Sequence, residues 1–320
     1  MIAPAVPLDD RPRRMAISEG LSVRDLRWIA DAYEQAQRVR LETAERIRAI
    51  LQGRDDRKDI VQVLGPARDV LTAIRRAETD GPVPLLGRTL RRYADEEREL
   101  RKAMLSALAL HPAWPWLEQV KGMGATLAAK LLSRLDVTRA RSPSSFWAYC
   151  GLATVPGIEY RCAACGVRVS YPTRYRVKGP HLRPDTKSSC EGSLTAYRGP
   201  ENGVRVAQPR PGVGEKPSYD QYVKKVCYLI GVSFLRSGST YADYYREQRE
   251  RLGRERRGWT AGRIHFSALR KMEKLFLAHL WLVWREAVGL PTTTPYAQAI
   301  LEREDYIEPG RMIDPVRHES

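Results

Sequence analysis

The sequence predicts a mainly α protein: a helical hairpin or coiled coil, then a helix-hairpin-helix helical domain interrupted by a small zinc-ribbon insertion. Three observations predict it. Apolar residues form stripes at helical spacings in several segments of residues 22–110 and again within 219–288. Two glycines one residue apart, Gly122 and Gly124, precede a run rich in Ala and Leu. Between 159 and 217 the helical period vanishes, and a C-x2-C-G motif stands there among Pro, Gly, Arg, Ser and Val.

Residues 1–21 are Pro-rich, charged and aperiodic, and are expected to be a flexible tail. Residues 22–112 form the hairpin or coiled coil. Ser22 is placed as an N-cap, and Leu26, Ile29, Tyr33, Ala36, Ile47 and Leu51 supply an apolar stripe up to a stop at Gly53. A weaker helix is read over 61–74. Pro82-Val83-Pro84 is read as a break, and Leu86, Leu90, Tyr93, Leu100, Met104 and Leu108 mark the third helix. Helices this polar are marginal alone, so they are expected to pack in antiparallel fashion, and pairing between subunits would give a homo-oligomer.

Residues 113–158 carry the helix-hairpin-helix and a further helix. Ser142 is its N-cap, Pro143 its first residue and Gly151 its stop. Residues 159–217 are the insertion. Residues 218–290 return to helix over 222–235, 241–252 and 260–288, the last being the most apolar and hence core. Residues 291–320 are read as a tail. Cys150 and Cys227 read as buried thiols, and His279 as a hydrogen-bonded core residue.

Charge narrows the partners. The chain of 320 residues holds 54 Lys and Arg against 38 Asp and Glu, a net +16. Such a field favours polyanions, either nucleic acid or an anionic surface. No apolar run approaches the roughly 18 residues of a membrane span, so no membrane partner is expected. The first residues show neither the charged nor the apolar region of a signal peptide. Five cysteines are too few for a disulfide scaffold, and a cytoplasmic setting is expected.

Cys162 and Cys165 form the C-x2-C-G knuckle between Glu159-Tyr160-Arg161 and Val167-Arg168-Val169, read as two short strands. His181 and Cys190 follow after gaps of 15 and 8 residues. Three thiolates and an imidazole make a closed tetrahedral zinc site, with His181 the ligand that spacing supports least. A closed site leaves no position for substrate, which points away from zinc catalysis and toward binding. Within 166–216 ten cations face four acids, Arg168, Arg174 and Arg176 among the cations. A nucleic-acid contact is therefore assigned to Arg168, Arg174 and Arg176. The hairpin adds Lys121, Gly122, Gly124 and Thr126, where glycines let the backbone approach a phosphate and a helix N-terminus binds it. Lys224 and Lys225 extend the contact on the next helix.

Val120-Lys-Gly-Met-Gly-Ala-Thr-Leu-Ala-Ala-Lys-Leu-Leu132, followed by Arg141-Ser-Pro-Ser-Ser-Phe-Trp-Ala-Tyr-Cys-Gly-Leu152, resembles the C-terminal domain of the DEDD-class insertion-sequence transposases, the bridge-RNA-guided recombinases. Tyr222-Val-Lys-Lys-Val226, residues 241–251, and Ala268-Leu-Arg-Lys-Met272 through Leu280-Trp281 resemble later segments in the same order. The resemblance covers roughly residues 85–158 and 218–290. Lys121 stands where the family has Pro, and Met123 where it has Ile. The resemblance implies a helix-hairpin-helix that handles DNA during recombination. The family also has an N-terminal ribonuclease-H-like domain with four acidic ligands, and no matching acids or strand-rich segment precede residue 110. It places a nucleophilic serine after Gly-Leu, where this chain carries the insertion. No catalytic residue is assigned.

The expected function is a transposase-like DNA-binding protein of a mobile element or phage, without a nuclease centre of its own. Two alternatives remain: a recombinase subunit using a nuclease partner or an unidentified serine, and a module for structured RNA or assembly.

Overall fold

The computed structural model describes residues 21–51, 82–173, 181–183, 186, 188–208, 216–256, 259–292 and 307–313. The helix read over 61–74, the stop at Gly53 and residues 1–20 lie outside them. The fold is mainly α, with eight α-helices and a modest sheet among the described residues. The chain divides into two compact units. One comprises Met1–Trp114 and Gly124–Ser133, the other Pro115–Met123 and Arg134–Ser320.

The first unit holds α1 (Leu26–Leu51), α2 (Pro82–Ala109) and α4 (Ala125–Leu132); α3 (Trp114–Leu117) precedes α4 in the chain. Ser22 donates through both its amide and its hydroxyl to Asp25, at 2.8 and 2.7 Å, and so starts a 3-10 turn that leads into α1. These bonds hold the Asp25 carboxyl below its usual pKa. α1 and α2 are antiparallel. Gln37 donates to Glu97 at 3.0 Å, Arg40 pairs with the same carboxylate, and farther along α1 Ala44 and Ile47 pack on Leu90 and Leu86. The expected break at Pro82-Val83-Pro84 is instead the first turn of α2. A first-turn proline loses no helical bond, because that N–H has no intrahelical acceptor. In α4, Lys130 is buried. It is matched by Glu34 at 2.7 Å and lies 5.6 Å from the Tyr33 ring centroid.

The second unit is organised on α8 (Ala261–Ala287), with α5 (Pro143–Tyr149), α6 (Gln221–Ser237) and α7 (Thr240–Glu255). Asp220 caps α6 through the Val223 amide at 3.0 Å, and Thr260 caps α8 through that of Arg263 at 3.2 Å. Phe234 stacks on Tyr241 at 4.9 Å, and Phe276 meets both rings edge-on. His279 is the satisfied core residue expected of it: one ring nitrogen meets Tyr241 Oη at 2.7 Å, and the other donates to Ile307 O at 2.8 Å. Burial pushes its pKa down to about 4. Cys150 and Cys227 are both buried, as expected. Arg285 donates to the carbonyls of Val137, Ala140 and Pro291, and Trp281 Nε1 shares that of Ala140 at 2.7 Å. The tail reading fails for residues 307–313. Pro309–Met312 is a 3-10 turn whose carbonyl at Pro309 accepts from Trp116, and Met312 is buried.

The six strands among the described residues fall between α5 and α6. β1 (Thr154–Cys162) is longer than expected and begins inside the segment assigned to the helical domain. Its whole outer half pairs with β2 (Arg168–Pro172) and β5 (Leu194–Arg198), and its first three residues with β6 (Arg205–Ala207), all antiparallel. β3 (His181–Leu182) and β4 (Ser189–Cys190) form a separate antiparallel pair.

Candidate metal centre and nucleic-acid interface

Two local turns build the metal site. The first is the knuckle that closes the β1–β2 hairpin. Arg161 faces Arg168, the Cys162 amide donates to Val167 O at 3.0 Å, and the Gly166 amide donates back to Cys162 O at 2.9 Å. Gly166 sits at φ +69°, the left-handed conformation that the turn needs and glycine tolerates. The second is the β3–β4 pair, in which His181 and Cys190 are direct cross-strand partners. That register places an imidazole and a thiol side by side, and the two pairs meet.

The ligand atoms of Cys162, Cys165, His181 and Cys190 all lie within 4.8 Å of one another. Cys162 Sγ is 3.9 Å from Cys190 Sγ, and Cys165 Sγ is 3.1 Å from His181 Nε2. Tetrahedral zinc with Zn–S bonds of ~2.3 Å sets neighbouring sulfurs ~3.8 Å apart, so the cluster could hold a metal ion and is compatible with zinc. Cys162 and Cys190 are buried, Cys165 and His181 half-buried. The Cys165 amide, aimed at the Cys162 sulfur, leads the contacts that bring that thiol down to about 7. The Cys165 thiol is raised instead: the Val167 amide opposes the rise, while burial and the neighbouring thiols impose it. Metal-binding thiols must be deprotonated, and amides directed at sulfur favour that state. The second imidazole nitrogen of His181 is buried with no hydrogen-bond partner among the described residues.

Sequence reasoning missed Gly192. A Cβ there would fall 2.8 Å from Cys162 Sγ and 3.4 Å from Cys190 Sγ, so the absent side chain makes room for the thiol cluster. Cys190-Glu191-Gly192 was the available signal, a half-knuckle hidden because only one cysteine precedes the glycine.

The assigned nucleic-acid residues fall in several places. Lys121 is exposed, and the turn behind it is held by Val120 N to Leu117 O and Met123 N to Val120 O, at 3.1 and 2.9 Å. Gly122 has φ +89°, and its side-chain position faces Ser237, Ser233 and Phe234 of α6; Ser233 also donates to Gly122 O at 2.7 Å. Its glycine is thus required by backbone and packing. Gly124 is the N-cap of α4, extended and with open space around its Cα among the described residues. The first hydrogen bond of α4 runs from Ala128 N to Gly124 O, which leaves the amides of 125–127 without intrahelical acceptors. The Thr126 hydroxyl is engaged with Tyr33. Arg168 is exposed on β2. Lys224 is half-buried, its ammonium 4.4 Å from the Tyr219 ring centroid, while Lys225 next to it is exposed. Arg174 and Arg176 lie outside the described residues.

Among the described residues no helix is long and apolar enough to cross a membrane. Residues 115–157 match the model of the Transposase IS116/IS110/IS902 family. That match covers the Lys121–Gly124 corner, α5 and the start of β1. No curated protein and no solved structure matches the chain.

Proposed function

We propose that this chain is a transposase-like nucleic-acid-binding protein of a mobile element or phage, gripping the DNA backbone through a helix-hairpin-helix and a basic zinc ribbon, without a nuclease centre of its own. The observation that carries the reading is the transposase-family match over residues 115–157. Within that match Lys121 is exposed, and Gly124, with nothing close to its Cα among the described residues, opens onto the leading amides of α4, which are groups that bind a phosphate. Arg168 and Lys225 extend the cationic surface.

In this reading Cys162, Cys165, His181 and Cys190 hold one structural zinc ion, which supplies folding free energy to a ribbon with little apolar core. Four protein ligands leave no site for water or substrate, so the ion shapes a binding surface. His181 Nδ1 awaits an acceptor that would orient the ring. Domain boundaries at 113, 159 and 218 belong to the same proposal.

The test is an electrophoretic shift series with duplex DNA and folded RNA at low salt. Duplex DNA is expected to bind, and Lys121→Glu to bind it more weakly. Indifference to Lys121→Glu removes the hairpin from the interface, and preference for folded RNA selects the alternative partner. Strand cleavage of supercoiled DNA in Mg²⁺ would instead support an active recombinase subunit.

A homo-oligomer through the N-terminal helices is favoured by exposed apolar residues on that unit. Trp28 is 76% exposed and Leu110 60%, with Leu41 and Leu85 also open. Light scattering is expected to give more than one chain per particle, and Trp28→Glu to return it to one.

A further inference from the structure

We propose that the ribbon sheet carries a stacking platform for an unpaired nucleobase, with Tyr197 as the platform and Arg168 and Arg198 as flanking phosphate contacts. The inference rests on the nucleic-acid reading above and adds which strand form the ribbon takes.

The platform is made by a register shift. Along β1 and β5, Glu159 faces Arg198 and Tyr160 faces Ala196, so Tyr197 is the extra residue of a bulge. A bulge leaves its extra residue outside the ladder and re-aims its side chain. Here the ring is 45% exposed. Two guanidinium groups address it, Arg168 at 5.4 Å and Arg198 at 5.2 Å from the centroid. Arg168 comes from the opposite edge of the sheet. It pairs across the ladder with exposed Arg161, which in turn faces Thr195, two residues before Tyr197.

Two arginines therefore lie over one ring that is 45% exposed, and a third, Arg161, pairs across the ladder with one of them. Among the described residues none of the three has a carboxylate at ion-pair distance. Glu159, half-buried, is the acid of the same strand stretch. Cations this close repel one another, and their fork-shaped N–H groups are left for phosphate oxygens. Both guanidinium groups lie over the ring, and together with its exposed surface they form one cationic and aromatic patch on which a base can stack. That pairing of ring and guanidinium is the chemistry that holds single strands without regard to sequence. A base in an intact duplex has both faces covered by its neighbours, so the platform takes only an unpaired base. DNA and RNA present the same face, and the source is left to the experiment.

The test uses the full chain with zinc supplied, titrated into fluorescent oligothymidylate, oligouridylate and a duplex of equal length. Tyr197→Ala is expected to weaken single-strand binding about 5- to 150-fold and leave duplex binding within about twofold. Tyr197→Phe is expected to bind both as the parent does, because the ring and not the hydroxyl does the stacking. Tighter binding of oligouridylate assigns the site to RNA, and of oligothymidylate to DNA; both support the platform. Unchanged single-strand binding by Tyr197→Ala overturns it, as does an equal loss on the duplex, and either leaves the nucleic-acid reading standing. Failure of the parent chain to bind any of the three overturns both. Should Tyr197→Ala lose its zinc, an aminopurine base analogue in the oligothymidylate decides. Quenching on binding to the parent chain supports stacking, and undiminished fluorescence overturns it.

Discussion

Gly122 and Gly124 are alike in sequence and opposite in structure, so alanine at each separates folding from the proposed binding. Gly122 holds φ +89°. An L residue in that region costs about 1–2 kcal/mol. An alanine methyl would also meet Ser237 Oγ, Ser233 O at 3.1 Å and Phe234 Cδ1 at 3.2 Å. The serine would turn away and give up its 3.1 Å bond to Phe234 O, worth about 1 kcal/mol, and α6 would shift, with crowding that costs about 1 kcal/mol more. The sum is about 3–4 kcal/mol, or a fall in Tm of about 6–16 °C for a unit of this size. Gly124 is extended, with φ −72° and ψ 149°, and nothing within 4 Å among the described residues. Alanine there restricts the unfolded chain but caps a helix slightly worse, so stability is expected to change by less than about 1 kcal/mol. The assay is thermal unfolding by circular dichroism, followed by a duplex titration of each folded variant. Equal melting of Gly122→Ala and the parent, or an equal loss in both variants, refutes the assignment of roles.

Acidification is expected to destabilise the fold. His111 and His279 are buried with pKa values lowered by desolvation from 6.5 to about 4. Between those values the unfolded chain binds more protons, so this stability is complete above pH 6.5 and is lost as pH falls toward 4. Buried Glu273 runs the other way: desolvation raises its carboxyl from 4.5 to about 7, against the pull of Arg270 and Lys224, and its contribution declines as pH rises between those values. Glu273→Gln is therefore expected to raise stability at pH 8 by about 1–3 kcal/mol, read from urea unfolding, and a loss at that pH contradicts it. Cys190→Ser or prolonged chelation is expected to lower bound zinc below one per chain and open the ribbon to protease while far-UV helicity stays; Gly192→Val should weaken zinc retention in the same assay. Arg285→Met strands the carbonyls of Val137, Ala140 and Pro291, at an expected cost of about 2–4 kcal/mol in chemical unfolding, and retention of full stability would show that water replaces the guanidinium.

The helices were legible because their apolar faces repeat with the helical period. Leu26, Tyr33, Ala36 and Ile47 are buried as the stripe on α1 predicts, and so are Leu269, Met272, Phe276 and Leu280 on α8. The cysteines were legible because a knuckle constrains their spacing, and His181 joined them through a β3–β4 register that spacing could not reveal. Other features depend on partners far along the chain. Nothing local marks Arg285 near the end of an apolar helix, yet it is held by carbonyls 145 and 148 residues away. Residues 307–313 read as tail because their docking rests on carbonyls offered to Trp116 and His279, which leave no mark on composition. The prolines of α2 show how one residue type can break or begin a helix. The Tyr197 bulge is set by how β5 meets β1, and no local pattern in Leu194–Arg198 announces it.

The proposed grip on polyanions is tested most directly by titrating a labelled duplex against the zinc-loaded chain over a range of salt concentrations. Each phosphate neutralised contributes about −0.9 to the slope of log K against log salt. A hairpin and ribbon acting together predict a slope steeper than about −3, shallower by roughly one unit in Lys121→Glu. Binding that is absent at low ionic strength, or that ignores salt, would contradict the account.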